Sequence, residues 1–145
     1  MKLINKQISK LFLASLFVLF VPSIQAGVAI ITHPDVKEIG LSKTKLAKIY
    51  LGKLKKYSNG QRIKPVDLPK NSKEHIKFYK TVVKKSNSAV NRYWSKLKYT
   101  GKGKPPKELE TAHDVMEWVA NNEGAIGYID GKYLNKSVKV VLILP

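Results

Sequence analysis

Short apolar runs separated by helical spacings organise this chain. Val28-Ala29-Ile30-Ile31-Thr32 is unbroken and β-branched, the pattern of a strand buried on both faces, and His33-Pro34 ends it because proline cannot donate to a ladder. Ser42 caps a predicted helix in which Leu46, Ile49 and Tyr50 share one face, with Gly52 as its stop. A polar connection, Lys53 to Arg62, holds the turn pair Asn59-Gly60 and leads to a second strand, Ile63 to Leu68. Ser72 caps a second helix whose core face reads Ile76, Tyr79 and Val83, while Lys73, Lys77, Lys80 and Lys84 line the rest. Ser86-Asn87-Ser88 interrupts it. A third helix then sets Val90, Tyr93, Trp94 and Leu97 at i, i+3, i+4 and i+7. Beyond the loop Gly101 to Pro106, Thr111 and Asp114 form a capping box for a fourth helix with Ala112, Val115, Met116 and Val119 inward. Ala125 to Ile129 and Val138 to Leu144 are the last two strands, joined by a turn at Asp130-Gly131. Helices alternate with short, unalternating apolar runs, so the predicted class is α/β, a mainly buried mixed sheet flanked by helices.

The first 26 residues follow a different plan. Lys2, Lys6 and Lys10 precede the apolar run Leu11 to Val21, and Pro22 to Ala26 supplies a small residue at the cut. That is the layout of a secretory signal peptide, and the run is short for a membrane span. Residues 1–26 are therefore expected to be a leader and 27–145 one exported, periplasmic domain. The chain has no cysteine, so neither a lipid-anchored cysteine nor a disulfide is available and stability rests on packing. Three leader lysines account for three of the net +17, which leaves +14 over the remaining 119 residues. Such an excess fits an anionic partner: phosphate, anionic headgroups or nucleic acid.

Catalytic constellations are poor. Without cysteine there is no thiolate chemistry, and His33, His75 and His113 have no ligand spacing for a metal. Gly101-x-Gly103 precedes Pro-Pro and cannot run into a helix as a phosphate loop does. Glu108 and Glu110 lie in the loop before the fourth helix, where they favour its dipole. Tyr93 to Tyr99 interleaves aromatics with lysines, but its helical spacing fits core packing better than base stacking, so nucleic acid is not the expected partner. No enzyme, cofactor or metal site is expected.

The stretch that remains is Ile63 to Tyr79. A strand, a Pro-bounded loop and a helix opening at Ser72 present free backbone N–H groups, a geometry suited to an anion. Lys70, Asn71, Ser72, Lys73 and Glu74 are the candidate ligand residues.

Leu46-Ala47-Lys48-Ile49-Tyr50-Leu51-Gly52-Lys53, then Gly60 and Ile63-x-Pro65-Val66-Asp67, resembles the phosphate-binding subunits of ABC importers, which are type II periplasmic binding proteins. The resemblance continues through Phe78, Tyr93-Trp94, Tyr99-x-Gly101-Lys102-x-x-Pro105-Pro106 and Glu123 to Ile129. It implies a single lobe of that two-lobed fold, and phosphate or a related anion as ligand, linked to phosphate transport or sensing. The family's motif runs Arg, two variable residues, then Gly-Ser-Gly-Thr. In this chain Leu68 takes the Arg position, and Asn71, Ser72, Lys73 and Glu74 take the other four. Losing the Arg removes charge-assisted hydrogen bonds worth roughly 1.5–3 kcal/mol each. A carboxylate at Glu74 adds a repulsion of about 1 kcal/mol in water and about 4 kcal/mol at a partly buried site. Weak anion binding is the expectation. The alternative is a ligand-free interaction module that binds an envelope protein or an anionic surface.

Overall fold

A computed structural model describes residues 27–145; the expected leader lies outside the described residues. Five strands form one mixed sheet: β1 (Val28–Thr32), β2 (Lys64–Asp67), β3 (Lys107–Glu108), β4 (Ala125–Asp130) and β5 (Lys139–Leu144), in the order β3-β2-β4-β1-β5. β2 runs parallel to β3 and β4, whereas β1 is antiparallel to both β4 and β5. The helices are α1 (Lys43–Tyr50), α2 (Lys73–Phe78), α3 (Asn87–Tyr99) and α4 (Ala112–Asn121). This is the α/β architecture expected, a mixed sheet flanked by helices. No helix among the described residues is long and apolar enough to cross a membrane.

The caps act as the sequence implies. Ser42, Ser72 and Ser86 each accept from the backbone N–H three residues on, and Thr111 with Asp114 completes the capping box before α4. All five residues of β1 are buried, as a central strand with helices on its faces requires. Gly127 lets α4 approach β4. A Cβ there would lie 2.8 Å from Val115 Cγ1 and 3.1 Å from Val66 Cγ2.

Two expectations need correction. Ile76 is 49% exposed; the inward face of this segment is His75, Phe78, Tyr79, Val82 and Val83. A buried histidine occupies the position that hydropathy assigned to isoleucine, and the helix changes to a π-helical turn over Tyr79–Val83 before Lys84 ends it at φ 57°. Glu108 is not in a loop but in β3, paired beside Asp67. β1 lies between β4 and β5. β5 is an edge strand, so Val140 and Ile143 remain exposed and only the interior of the sheet is fully buried.

The β1–α1 loop is tied down by one carboxylate. Glu38 accepts from the Lys45 ammonium at 2.9 Å, from the Ser58 N–H at 2.9 Å and from the Ser58 hydroxyl at 2.5 Å. Its neighbours cover it almost completely, although it sits near the periphery of the molecule. Hydrogen bonds from Ser58 and then Lys45 lower its pKa to about 2.

Two expected outcomes follow from this packing. Gly127→Ala overpacks the α4–β4 contact and lowers unfolding free energy by about 1–3 kcal/mol in urea titration. Glu38 ionises more readily folded than unfolded, so its stabilisation is present above about pH 4.5 and is lost as pH falls through about 2. The melting-temperature gap between the native chain and Glu38→Gln should therefore close across that window.

Candidate functional site

The carboxyl end of β2 is where chain direction and burial bring polar groups together. Ligands of open α/β sheets bind beyond the carboxyl ends of strands, where the loops diverge. Asp67, the last residue of β2, is buried with its carboxylate surrounded by donors. The Tyr79 hydroxyl donates to Oδ2 at 2.5 Å, the Leu68 N–H donates to Oδ1 at 3.1 Å, and the Tyr128 hydroxyl donates to Oδ1 as well. His75 Nδ1 lies 3.1 Å from Oδ1 and 3.1 Å from the Leu68 carbonyl, a position from which it donates to both acceptors. The His75 ring stacks on Tyr79 with centroids 4.2 Å apart, and Phe78 stacks on Tyr128 at 4.2 Å. One carboxylate thus joins β2, α2, the π-helical turn and β4.

A cavity of about 320 Å³ opens beside this cluster. Asp67, His75 and Tyr79 form one side. Asn91, Ser95 and Lys98 of α3 face them, with Lys70 and Glu108 at the margin. Lys70 is anchored to α3, since its ammonium donates to Asn91 Oδ1 at 2.7 Å and its carbonyl accepts from Asn87 at 3.0 Å. Of the five residues proposed from the sequence, Lys70 lines the cavity; Asn71, Ser72, Lys73 and Glu74 stand around the start of α2 outside that lining. The Ser72 oxygen accepts from the His75 N–H at 3.2 Å, and the Ser72 N–H donates to the Pro69 carbonyl at 2.8 Å. The N–H groups of Lys73 and Glu74 are the first-turn donors not so engaged.

Leu68 is only 3% exposed, so its side chain lies in the core and is not part of the cavity lining. The positive charge near the cavity comes instead from Lys70 and Lys98, two flexible ammonium groups. Sequence reasoning missed Lys98, Ser95 and Asn91, which lie on the polar side of a helix read for its apolar stripe. It also missed the Asp67–His75–Tyr79–Tyr128 cluster, whose members are spread along the chain. The one available signal was an aspartate ending an otherwise apolar strand.

Burial, followed by the nearby Asp67 charge, pushes the hydroxyls of Tyr50, Tyr79 and Tyr128 well above the ordinary tyrosine range. Burial does the same to Tyr57, which donates to the Gly124 carbonyl at 3.3 Å. Because the folded state holds these protons more tightly, their contribution is complete below pH 10 and is lost as pH rises beyond it. Four of the seven tyrosines should therefore ionise only as the chain unfolds. In an alkaline titration their absorbance at 295 nm should appear together with the loss of circular dichroism; ionisation of all seven in a still-folded chain would contradict the cluster.

No protein-family profile matches the chain, and no curated protein matches it. Solved structures do. A phosphate ABC transporter substrate-binding protein from Clostridium perfringens, with bound phosphate, superposes with a TM-score of 0.64 at 23% identity, covering 79% of this chain and 44% of that one. PstS from Borrelia burgdorferi gives 0.61 at 16% identity over 79% and 46%. An ABC-type phosphate transport receptor from Vibrio cholerae gives 0.55 at 20% identity over 79% and 45%. The chain spans less than half the length of each. It has the fold of one lobe of a phosphate-transport substrate-binding protein.

Proposed function

We propose that this protein is an exported, non-enzymatic module that binds phosphate or a related small anion weakly, in the service of phosphate transport or sensing. The observation that carries the reading is the fold it shares with a phosphate ABC transporter substrate-binding protein that holds phosphate and with an ABC-type phosphate transport receptor. The cavity at the carboxyl end of β2 supports it, with Lys70 and Lys98 at its margin and the α2 amides of Lys73 and Glu74 beside Ser72. Weakness follows from the same geometry. Leu68 is turned inward, and Glu108 shares the cavity with the lysines. Asp67 already accepts from several protein donors and offers an anion only repulsion.

A second reading is an interaction module that keeps the lobe without the ligand and binds an envelope protein or anionic surface. Exposed apolar side chains favour it: Ile143 is 57% exposed on the β5 edge and Ile76 49% exposed on α2.

Calorimetric titration of residues 27–145 with phosphate at low salt separates the two. The first reading expects a Kd of about 1 mM, equivalent to about 4 kcal/mol. Replacing both lysines, Lys70→Ala with Lys98→Ala, should weaken binding about tenfold without loss of fold. No heat and no rise in melting temperature at millimolar phosphate would sink the first reading and leave the second.

A further inference from the structure

Away from the Asp67 cavity, a larger groove of about 730 Å³ runs beside the amino end of β2. Leu54, Leu97, Pro105, Trp94 and Trp118 give it apolar ground, and the last two are the chain's only tryptophans. Gly52 allows Trp94 to lie there: at φ 68°, a Cβ on Gly52 would stand 2.9 Å from Trp94 Cη2.

The rim has the opposite chemistry. Lys55 and Lys56 follow α1, Arg62 and Lys64 stand before and at the start of β2, Lys102 and Lys104 come from the segment between α3 and β3, and Lys107 opens β3. All seven side chains are exposed, and no carboxylate lines the groove among the described residues. The Asp67 cavity differs in kind, since there two carboxylates face two lysines. Two chain segments far apart in sequence, 55–64 and 102–107, thus converge to make one uncompensated cationic rim around an apolar trough. A ligand complementary to it has several negative charges distributed along its length and an apolar group between them.

We propose that this groove docks an extended acidic segment of a partner protein, with carboxylates on the lysine rim and an apolar side chain against Leu97 and Trp118. Single-stranded nucleic acid fits less well because stacking needs open aromatic faces. Trp94 is 7% exposed, and Lys107 Nζ sits 5.9 Å from the Trp118 ring centroid. A bilayer fits less well because the apolar ground is recessed behind charges instead of protruding. The groove shares only Trp94, Pro105 and Pro106 with the cavity of the proposed anion site, so the two inferences stand or fall separately.

The two tryptophans make the groove its own reporter. The probe is a short peptide of alternating glutamate and leucine, titrated into residues 27–145 at low salt and followed by tryptophan emission and by anisotropy of a labelled copy. Binding should shift the emission and fade with salt, and a glutamine-for-glutamate peptide should not bind. The pair Lys102→Glu with Lys104→Glu should weaken binding at least about tenfold, whereas Lys43→Glu with Lys136→Glu, of equal net charge, should change it less than about twofold. Circular dichroism checks that every variant folds. The Lys70→Ala, Lys98→Ala protein should bind the peptide unchanged, even where it has lost phosphate. Equal weakening by both charge-reversed pairs, or binding without an emission change, would overturn the groove as the site. Oligothymidylate or phosphatidylglycerol vesicles shifting the emission at lower concentration than the peptide would overturn the acidic peptide as occupant.

Discussion

A single buried carboxylate fixes the carboxyl end of β2 and everything packed around it. Taking an ionised aspartate out of water costs several kcal/mol unless hydrogen bonds replace its hydration. At Asp67 that replacement comes from the Leu68 amide, the Tyr79 and Tyr128 hydroxyls and His75. Each donor sits on a different element, so satisfying the charge sets where α2 and the π-helical turn lie against the sheet. The aromatic side chains pack round the same point: Tyr50 touches Phe78 edge-on at 4.6 Å, and its hydroxyl donates to the Val66 carbonyl at 2.9 Å. A polar network that is fully satisfied specifies one arrangement, because every alternative leaves a donor or the charge unpaired.

That arrangement shapes what the neighbouring cavity offers a ligand. The network uses the carboxylate, and the Leu68 side chain lies in the core, outside the cavity lining. Positive charge is then supplied from α3 and from the Lys70 ammonium, which rests on Asn91. Lysines in such positions attract anions at long range but hold them loosely. The +17 of the whole chain is consistent with a surface selected for attraction, and its distribution is uneven: mixed charge beside Asp67, unmixed charge along the tryptophan groove.

Local signals in the sequence were reliable where one physical cause dominated. The Ser42 and Ser72 caps, the Thr111–Asp114 box and the β-branched run of β1 each depend on adjacent residues, and each formed as read. The inward face of α2 was misread because hydropathy ranks isoleucine above histidine, while the decisive partner of His75 is Asp67, a contact visible only in three dimensions. β3 escaped notice since two residues, Lys107 and Glu108, carry no alternation to detect. The loop around Ser72 was legible as a helix start, but the residues facing it from α3 were not, because a helix is read from its apolar stripe and its polar side has no pattern.

The strand order also has a temporal meaning. β1 leads the described chain, yet its hydrogen-bonding partners are β4 and β5: Val28 lies opposite Asp130 on one side and Leu144 on the other. The most buried strand therefore has no neighbour to join until the chain has been made as far as β4. Contacts this distant in sequence form late and slowly, since long loops must close before any pairing rewards them. Before that point only β2 and β3 can pair, through Val66–Lys107 and Asp67–Glu108, so the sheet takes shape around β4 and not around the strand that leads it.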